Sequence, residues 1–425
     1  MLLAVVSQPA LSQYVPTEAN RQARKEFSER RLGIFLHWGI AAMFGQGEWY
    51  YAFKRLQKEP YVEAAGCFFP SRFDAAEWAR AFSDAGAGYV CFTTRHHDGF
   101  SMWPSDATDF DMDATPFKRD IVGELTKAVK AEGMRMHFYY SLIDWIREDY
   151  PGSRKDPEKT DYDHYLEFEK QQIRELMERY KPGALWFDGW WDHKNDPRPF
   201  DWKLDELYTL IHSIDDACLI GNNHHVEPFP GEDFQMFERT VPGDKFFGRD
   251  HYVSREMPLE MCQTMNGAWG FKIEDQDYKS VKDLIHLLVR NVSRDANLLL
   301  NIGPYPDGTL PPPAVERLKG IGEWMKKYSR SVNGCGSAGY PDQPWGLVTR
   351  NEKSVFLHIF EPGKLPSNGT QSLIILPFNN KVASVAGMSG DFKCDWKLSK
   401  DGFLSLTMPN PDFEETDTII EIRLK

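Results

Sequence analysis

Short apolar runs alternate with amphipathic segments along most of the chain. Runs with the length of buried strands cover residues 32–38, 88–97, 134–142, 184–191, 218–223, 233–238, 260–267 and 297–303. Between such runs, Ile121, Leu125 and Val129 recur at the spacing of one helix face, as Val281, Leu284, Ile285, Leu288 and Val292 do further along. Strands that alternate with helices form parallel sheets, and eight strands in about 300 residues favour a closed (β/α)8 barrel.

The pattern changes after a helix predicted for residues 315–328. Gly334, Gly336, Pro341 and Pro344 interrupt the chain. Later segments alternate apolar and polar residues at every second position, at 354–360, 371–376, 392–398, 403–408 and 418–424. We therefore predict a (β/α)8 domain over residues 16–335, a linker over 336–345 and a small antiparallel β-sandwich domain over 346–425.

The N-terminus begins with an apolar run, residues 1–6, followed by small and polar residues up to Gln13. This order is typical of a truncated secretory signal, so we predict a signal remnant over residues 1–15 and a secreted or periplasmic protein. No apolar run approaches the ~20 residues needed to cross a bilayer, and we expect no membrane insertion.

Composition narrows the classes of partner. The net charge of −13 disfavours nucleic acid and anionic membrane surfaces. Aromatic residues make up 14% of the chain, with 13 Trp, which suits stacking on flat ligands such as sugars as well as an ordinary large core. The six cysteines form no CxxC pair, so we expect neither a zinc module nor a dense disulfide framework.

Asp188 is the strongest candidate for chemistry. It ends the run Ala184-Leu185-Trp186-Phe187-Asp188-Gly189-Trp190-Trp191, where a carboxylate stands among indole rings and Gly189 lets the backbone turn away. A carboxylate is rarely buried without a partner, because removing its charge from water costs several kcal/mol. The alternatives are a helix N-cap or a salt-bridged core aspartate.

Other polar residues follow the predicted strands, and barrel enzymes place their active sites at the C-terminal ends of strands. They are His37, His96, His97, Asp98, Tyr139, Asn222, Asn223, His224, His225, Glu238 and Arg239. A single histidine at such a place can also be a hydrogen-bonded structural residue. The adjacent pairs His96-His97 and His224-His225 could bind zinc or iron. However, neighbours on a strand point to opposite faces, so we expect no metal site.

Seven strings in this order resemble the retaining α-L-fucosidases of glycoside hydrolase family 29, over about residues 20 to 340. They are Gly33-Ile34-Phe35-Leu36-His37-Trp38-Gly39, Gly47-Glu48-Trp49-Tyr50, Arg95-His96-His97-Asp98-Gly99-Phe100, Lys118-Arg119-Asp120, Tyr139-Tyr140-Ser141, Trp186-Phe187-Asp188-Gly189 and Asn297-Leu298-Leu299-Leu300-Asn301-Ile302-Gly303-Pro304.

The resemblance implies a barrel catalytic domain with a β-sandwich behind it. It also implies hydrolysis of terminal α-L-fucosyl bonds of fucosylated glycans without a cofactor. Asp188 matches the nucleophile of the family, and Glu238 is our choice for the general acid/base, with Glu260 as the runner-up. The positions implied to bind the sugar are His37, Glu48, Trp49, His96, His97, Tyr139, Trp186, His224 and Trp269.

Two positions depart from the pattern of the family. His224 stands where an arginine usually follows the two asparagines, and Cys335 replaces an acidic residue. We expect the first change to alter one sugar contact and the second to leave the chemistry intact. We also expect Asp188 to stay ionised where His and Trp N–H groups satisfy its oxygens.

Two other functions stay open at this point. One is a catalytically inactive fucose-binding protein, and the other is a barrel glycosidase that acts on a related sugar such as an α-galactoside. The presence of both carboxylates and nearly all the sugar-binding positions counts against the inactive protein.

Overall fold

The computed structural model describes residues 14–152, 155, 157–194, 200–246, 248–367, 371–389, 394–409 and 413–425. Most of the predicted signal remnant, residues 1–13, lies outside this part of the chain, and export stays a prediction. Among the described residues, no helix combines the length and the apolar character needed to cross a bilayer.

Eight parallel strands form the sheet that the alternation predicts. They are β1 (Leu32–Leu36), β2 (Tyr89–Arg95), β3 (Arg135–Ser141), β4 (Ala184–Asp188), β5 (Leu219–Asn222), β6 (Gln235–Glu238), β7 (Leu259–Thr264) and β8 (Ala296–Ile302). Their order is β5-β4-β3-β2-β1-β8-β7-β6. Asp233 then joins the two edges, because its backbone N–H donates to the Ile220 carbonyl (2.7 Å) and its carboxylate accepts from the Ile220 N–H (2.8 Å). The predicted (β/α)8 barrel is confirmed.

Helices surround this barrel. They are α1 (Glu18–Glu29), α2 (Tyr50–Lys54), α3 (Lys58–Glu63), α4 (Ala75–Asp84), α5 (Ile121–Ala131), α6 (Tyr162–Tyr180), α7 (Leu204–Ile214), α8 (Val281–Val292) and α9 (Pro312–Tyr328). The two helices predicted from spacing begin with side-chain caps: Asp120 accepts from Gly123 N–H, and Ser280 forms a capping box with Asp283. Their apolar faces are buried against the barrel.

The barrel interior is filled by large side chains, and it has no room for a channel. Phe27 of α1 enters it from the N-terminal end and packs against Tyr89 and Phe234. Gly33 of β1 makes space for the Tyr89 ring, since a Cβ at Gly33 would lie 2.3 Å from that ring. Trp186 and Phe35 close the interior at its C-terminal end and separate it from the cavity above.

The C-terminal part is the predicted antiparallel sandwich. One sheet has the order β13-β16-β11-β10-β9 and the other β12-β15-β14. The strands are β9 (Gly336–Ser337), β10 (Gly346–Arg350), β11 (Ser354–Ile359), β12 (Gln371–Pro377), β13 (Val382–Gly387), β14 (Asp395–Leu398), β15 (Phe403–Pro409) and β16 (Thr418–Leu424). The sequence analysis missed β9, β10 and β13. Because β9 pairs with β10, part of the predicted linker belongs to a sheet. The division into two domains at 336–345 stays a proposal.

Candidate active site

A cavity of about 650 Å³ opens at the C-terminal ends of the barrel strands. Eight parallel strands point the same way, so the residues that follow them converge there. The polar and aromatic residues that line it are Phe35, His37, Trp49, His96, His97, Tyr139, Trp186, Asp188, Trp191, Asn223, His225, Glu238, Arg239, Thr240, Phe246 and Trp269. Most of the residues predicted for the site therefore come together here.

The carboxylate of Asp188 is held from several sides. Its Oδ1 accepts from the Gly189 N–H (2.8 Å) and from Nε1 of Trp191 (3.0 Å). Its Oδ2 accepts from the Tyr139 hydroxyl (3.0 Å) and lies 3.6 Å from Nε2 of His97. Gly189 has a φ of 107°, a left-handed conformation that glycine adopts without strain, and this bends the chain so that Trp191 returns to the carboxylate.

Asn223 links Asp188 to Glu238. Its Nδ2 lies 3.0 Å from Oε2 of Glu238 and 3.4 Å from Oδ1 of Asp188. Oδ1 of Asp188 and Oε2 of Glu238 therefore lie no farther apart than the sum of those two distances. Asp188 ends β4, Asn223 follows β5 and Glu238 ends β6, so three strand ends bring the two acids to one place.

Burial dominates the protonation of Asp188. Removal from water and, second to it, the nearby charge of Glu238 together raise its pKa to about 7, against the lowering effect of the donors Trp191, Tyr139 and Gly189. This corrects the expectation that N–H donors would keep this carboxyl fully ionised near neutral pH. The donors are present, but the loss of water outweighs them.

Three histidines form one wall of the cavity. Nδ1 of His37 lies 2.7 Å from Oδ1 of Asn301, and Nδ1 of His97 lies 2.6 Å from the Ser141 hydroxyl, so both rings are held from behind. Burial lowers the pKa of His37 and of His97 to about 3, and that of His96 falls well below its usual range for the same reason. These imidazoles are neutral at physiological pH, and each can donate one hydrogen bond and accept another.

His96 and His97 both line the cavity, with ring centroids 4.3 Å apart. The sequence argument that neighbours must face opposite ways fails here, because β2 ends at Arg95 and the pair lies beyond the strand. Among the described residues, no group of three or more His, Cys, Asp or Glu side chains has a metal-binding arrangement.

Aromatic rings supply the remaining walls. Tyr139 stacks on Trp186 with ring centroids 5.4 Å apart. Trp49 lies nearly parallel to Trp191 at 5.7 Å. On the other side, Trp269 lies 5.2 Å from the His37 ring.

Glu48 does not line the main cavity. It lies in a smaller neighbouring cavity with His37 and His96, and its Oε2 accepts from the Gly270 N–H at 2.6 Å. Burial raises the pKa of Glu48. Any contact between Glu48 and a bound sugar would therefore be made from the side of the cavity where His37 and His96 lie.

His224 is not part of the cavity, contrary to the prediction. It is buried behind β5, where its Nε2 lies 3.0 Å from each carboxylate oxygen of Glu232. Asn222 and His224 contact Tyr208 and Glu232, whereas Asn223 and His225 line the cavity. The sequence analysis placed Asn223 and His225 among the polar residues that follow the strands but did not include them in the set implied to bind the sugar.

Glu260, the runner-up for the acid/base, lies below the cavity. It is the second residue of β7, and its carboxylate accepts from the Tyr89 hydroxyl (2.5 Å) and from Nε1 of Trp186 (2.9 Å). Because the full indole of Trp186 stands between this acid and the cavity, Glu260 cannot reach a bound sugar. Asp233 and Glu232 are likewise buried structural acids.

The chain matches the family described as Alpha-L-fucosidase over residues 1–330. Tissue alpha-L-fucosidase of Rattus norvegicus is 29% identical over 368 residues, which cover 80% of this chain and 74% of that protein. Alpha-L-fucosidase isoenzyme 1 from Paenibacillus thiaminolyticus superposes with a TM-score of 0.84 at 30% identity, covering 96% of this chain and 100% of that one.

A second solved structure bears on the chemistry. It is an alpha-L-fucosidase from Bacteroides thetaiotaomicron, described as a trapped covalent intermediate with 2-fluoro-fucosyl fluoride in a mutant that replaces a glutamate by glutamine. It superposes with a TM-score of 0.81 at 25% identity, covering 95% of this chain and 96% of that one.

Proposed function

This chain belongs to the alpha-L-fucosidase family, and we propose that it hydrolyses terminal α-L-fucosyl bonds of fucosylated glycans with retention of configuration. It is a glycoside hydrolase. The main support for this proposal is the pair of carboxyl groups of Asp188 and Glu238, which the Asn223 amide bridges in a cavity lined by neutral histidines.

The spacing of the two acids is compatible with retention. Retaining glycosidases hold their carboxyl groups about 5 to 5.5 Å apart, whereas inverting ones leave about 6.5 to 9.5 Å for a water molecule. The Asn223 amide lies 3.4 Å from one carboxyl oxygen and 3.0 Å from the other, so the sum of these distances limits their separation. That limit applies to one oxygen of each carboxyl group, and it is compatible with the retaining spacing.

In the proposed reaction, Asp188 is the nucleophile and Glu238 the general acid/base. An oxygen of Asp188 forms a bond to the anomeric carbon, the glycosidic bond breaks, and Glu238 gives its proton to the departing oxygen. Glu238 then takes a proton from water, which attacks the same carbon and releases Asp188. Two displacements at one carbon restore the starting configuration.

The walls of the cavity fit a deoxysugar. Neutral His37, His96 and His97 can donate to some hydroxyls and accept from others, since a neutral imidazole has one group of each kind. Phe35, Trp186 and Trp269 offer apolar surface for a methyl group. The same surface would leave a C6 hydroxyl without a partner, but a hydrophobic pocket rejects an added hydroxyl by only about 10²-fold, so we expect incomplete discrimination against an α-galactoside.

Trapping tests the proposal directly. We expect 2-fluoro-fucosyl fluoride to inactivate the enzyme with loss of the anomeric fluoride and to add the mass of one 2-fluoro-fucosyl group to the peptide that contains Asp188. Asp188→Ala should neither be labelled nor turn over an aryl α-L-fucoside, while still folding by circular dichroism. Asp192→Asn is the control, because this acid lies in the same segment, outside the cavity lining, and should be labelled normally.

Several outcomes contradict the proposal. A label on any other residue would refute Asp188 as the nucleophile, and β-L-fucose as the first product seen by NMR would refute retention. Fucose binding without release of the aryl group would favour the inactive sugar-binding protein. Faster cleavage of an aryl α-galactoside would favour the related glycosidase.

A further inference from the structure

A second cavity, of about 150 Å³, lies at the opposite end of the barrel. It is bounded by α1 and by residues that precede or begin β3, β4 and β5, and Lys130 of α5 completes it. We propose that this cavity binds a small tetrahedral oxyanion of the phosphate or sulfate class.

The charge around this cavity differs from that of the molecule. Four cationic side chains line it, Arg30, Lys130, Arg135 and Lys181, against two carboxylates, Glu26 and Asp215. The chain as a whole carries a net charge of −13. A cluster with positive excess in a strongly acidic protein is an attractive place for an anion.

The cations are held mostly by neutral groups. Lys130 donates to the carbonyls of Tyr180 and Lys181, at 2.8 Å each, and Arg30 donates to the carbonyl of Gly88 at 2.9 Å. Arg135 pairs with Glu26 at 2.8 Å. Within the described part of the chain, Lys181 makes no ion pair.

Repulsion between cationic side chains adds to burial in lowering the pKa values of Lys130 and Arg30. Burial lowers the pKa of Lys130 and of Arg30, and the charge of Arg135 lowers both further. An anion placed between them would relieve this repulsion.

His137 gives an independent indication. It is 3% exposed, lines the cavity, and stacks on Tyr89 with ring centroids 4.8 Å apart. Its Nδ1 is buried without a hydrogen-bond partner. The ring edge formed by Cδ2 and Nε2 lies against Gly183, another lining residue, since a Cβ at Gly183 would lie 3.5 Å from each of these two atoms. A buried polar ring without a partner is uncommon, and an anion oxygen would accept its N–H.

The site would act on stability and not on the catalytic pocket. An anion there would join α1, α5 and three strands, and a ligand that binds only the folded state stabilises it by mass action. The barrel interior, filled by Phe27, Tyr89 and Trp186, separates it from Asp188.

Calorimetric titration of the intact protein with sodium phosphate, and separately with sodium sulfate, tests the proposal at fixed ionic strength with chloride as the reference. We expect saturable 1:1 binding and a rise in Tm that follows the same saturation. Lys181→Asn removes a charge while tolerating the left-handed backbone at this position (φ 50°), and His137→Phe keeps the stacking ring without its nitrogen. Each should weaken binding at least tenfold and leave kcat/KM unchanged.

Lys127→Gln is the matched control, because it removes a charge from α5 outside the cavity and should bind as the parent protein does. Phosphate and sulfate also stabilise proteins by exclusion from their surfaces, without a site. A rise in Tm without saturation, or one that is equal in the parent, Lys181→Asn and Lys127→Gln proteins, would overturn the proposal. Absence of heat on titration together with an unchanged Tm would overturn it as well.

Discussion

At the scale of single residues, the site depends on which carboxyl faces the cavity. Glu238 ends β6 and lines the cavity, whereas Glu260 stands near the start of β7 beneath Trp186. Barrel chemistry belongs to the C-terminal ends of strands, so position within the strand already separates the two acids. The sequence analysis preferred Glu238 to Glu260 without using this reason.

Removal of Glu238 should slow the enzyme without abolishing its activity. General acid catalysis typically contributes a factor of about 10² to 10⁴ in rate. We therefore expect Glu238→Ala to lower the rate by that factor on a substrate with a poor leaving group, and by far less on an activated aryl fucoside. Azide should restore turnover of the activated substrate and yield a fucosyl azide. Glu260→Ala should show no azide effect, and the assignment fails if these two variants exchange their behaviour.

The acidity of Asp188 predicts the pH profile. Burial first and Glu238 second raise the pKa of Asp188 to about 7, and only the ionised carboxylate can attack. The value of kcat/KM should therefore fall about tenfold per pH unit below roughly pH 7, since this parameter reports groups of the free enzyme.

Tyr139→Phe tests the origin of that acidity. Its hydroxyl donates to Oδ2 of Asp188 and lowers the pKa, so its loss raises the pKa and moves the acidic limb of the profile toward alkaline pH. Tyr140→Phe is the control, because this neighbour on β3 donates to Gln172 away from the cavity and should leave the limb in place. A shift of the limb toward acid pH in Tyr139→Phe would contradict the argument.

At the scale of elements, the sequence predicted more of the fold than of the site. All eight barrel strands were predicted, because buried parallel strands are continuous apolar runs that periodicity detects. β9 has only two residues and Gly346 opens β10, so neither presents a period-two run of sufficient length. The two histidines beyond β2 show the other limit, since side-chain direction can be predicted only while the strand lasts.

Asp233 closes the barrel and should be essential to its stability. The fully buried carboxylate accepts from Arg24 of α1 (2.7 Å) and from the Ile220 N–H (2.8 Å), so one acid joins α1, β5 and the segment before β6. Loss of one partner from a buried ion pair typically costs about 3 to 5 kcal/mol. Because Arg24 retains some contact with water, we expect the lower end of that range for Asp233→Asn.

Urea unfolding at neutral pH measures this cost. Asp216→Asn, an exposed neighbour of β5, should change the free energy of unfolding by less than about 0.5 kcal/mol. Both variants should keep the kcat/KM of the parent protein well below the unfolding transition, since neither acid lines the catalytic cavity. An Asp233→Asn protein as stable as the Asp216→Asn protein would show that β5 and β6 are held together in another way.

At the scale of the whole molecule, the β-sandwich is packed onto the barrel. Leu347, Phe356 and Ile419 are buried in the same apolar cluster as the barrel helices. Polar contacts cross the same boundary: the Thr349 hydroxyl donates to the Ser331 carbonyl (2.7 Å), and the Tyr328 hydroxyl donates to Glu414 (2.8 Å). The sandwich therefore supports the barrel through a shared apolar core.

This shared core predicts that the two parts unfold together. Phe356 and Leu357 are neighbours on β11 and, by strand alternation, face opposite ways, Phe356 into the barrel-side core and Leu357 into the core of the sandwich. Each substitution by alanine removes a buried side chain and should cost about 3 to 5 kcal/mol for Phe356 and about 2 to 5 kcal/mol for Leu357. Calorimetry of the parent protein should show one transition.

Phe356→Ala should separate this transition into two, because the cavity that it leaves weakens the contact between the barrel and the sandwich. Leu357→Ala should lower the temperature of the single transition without splitting it. Two transitions in the parent protein would mean that the sandwich folds without help from the barrel.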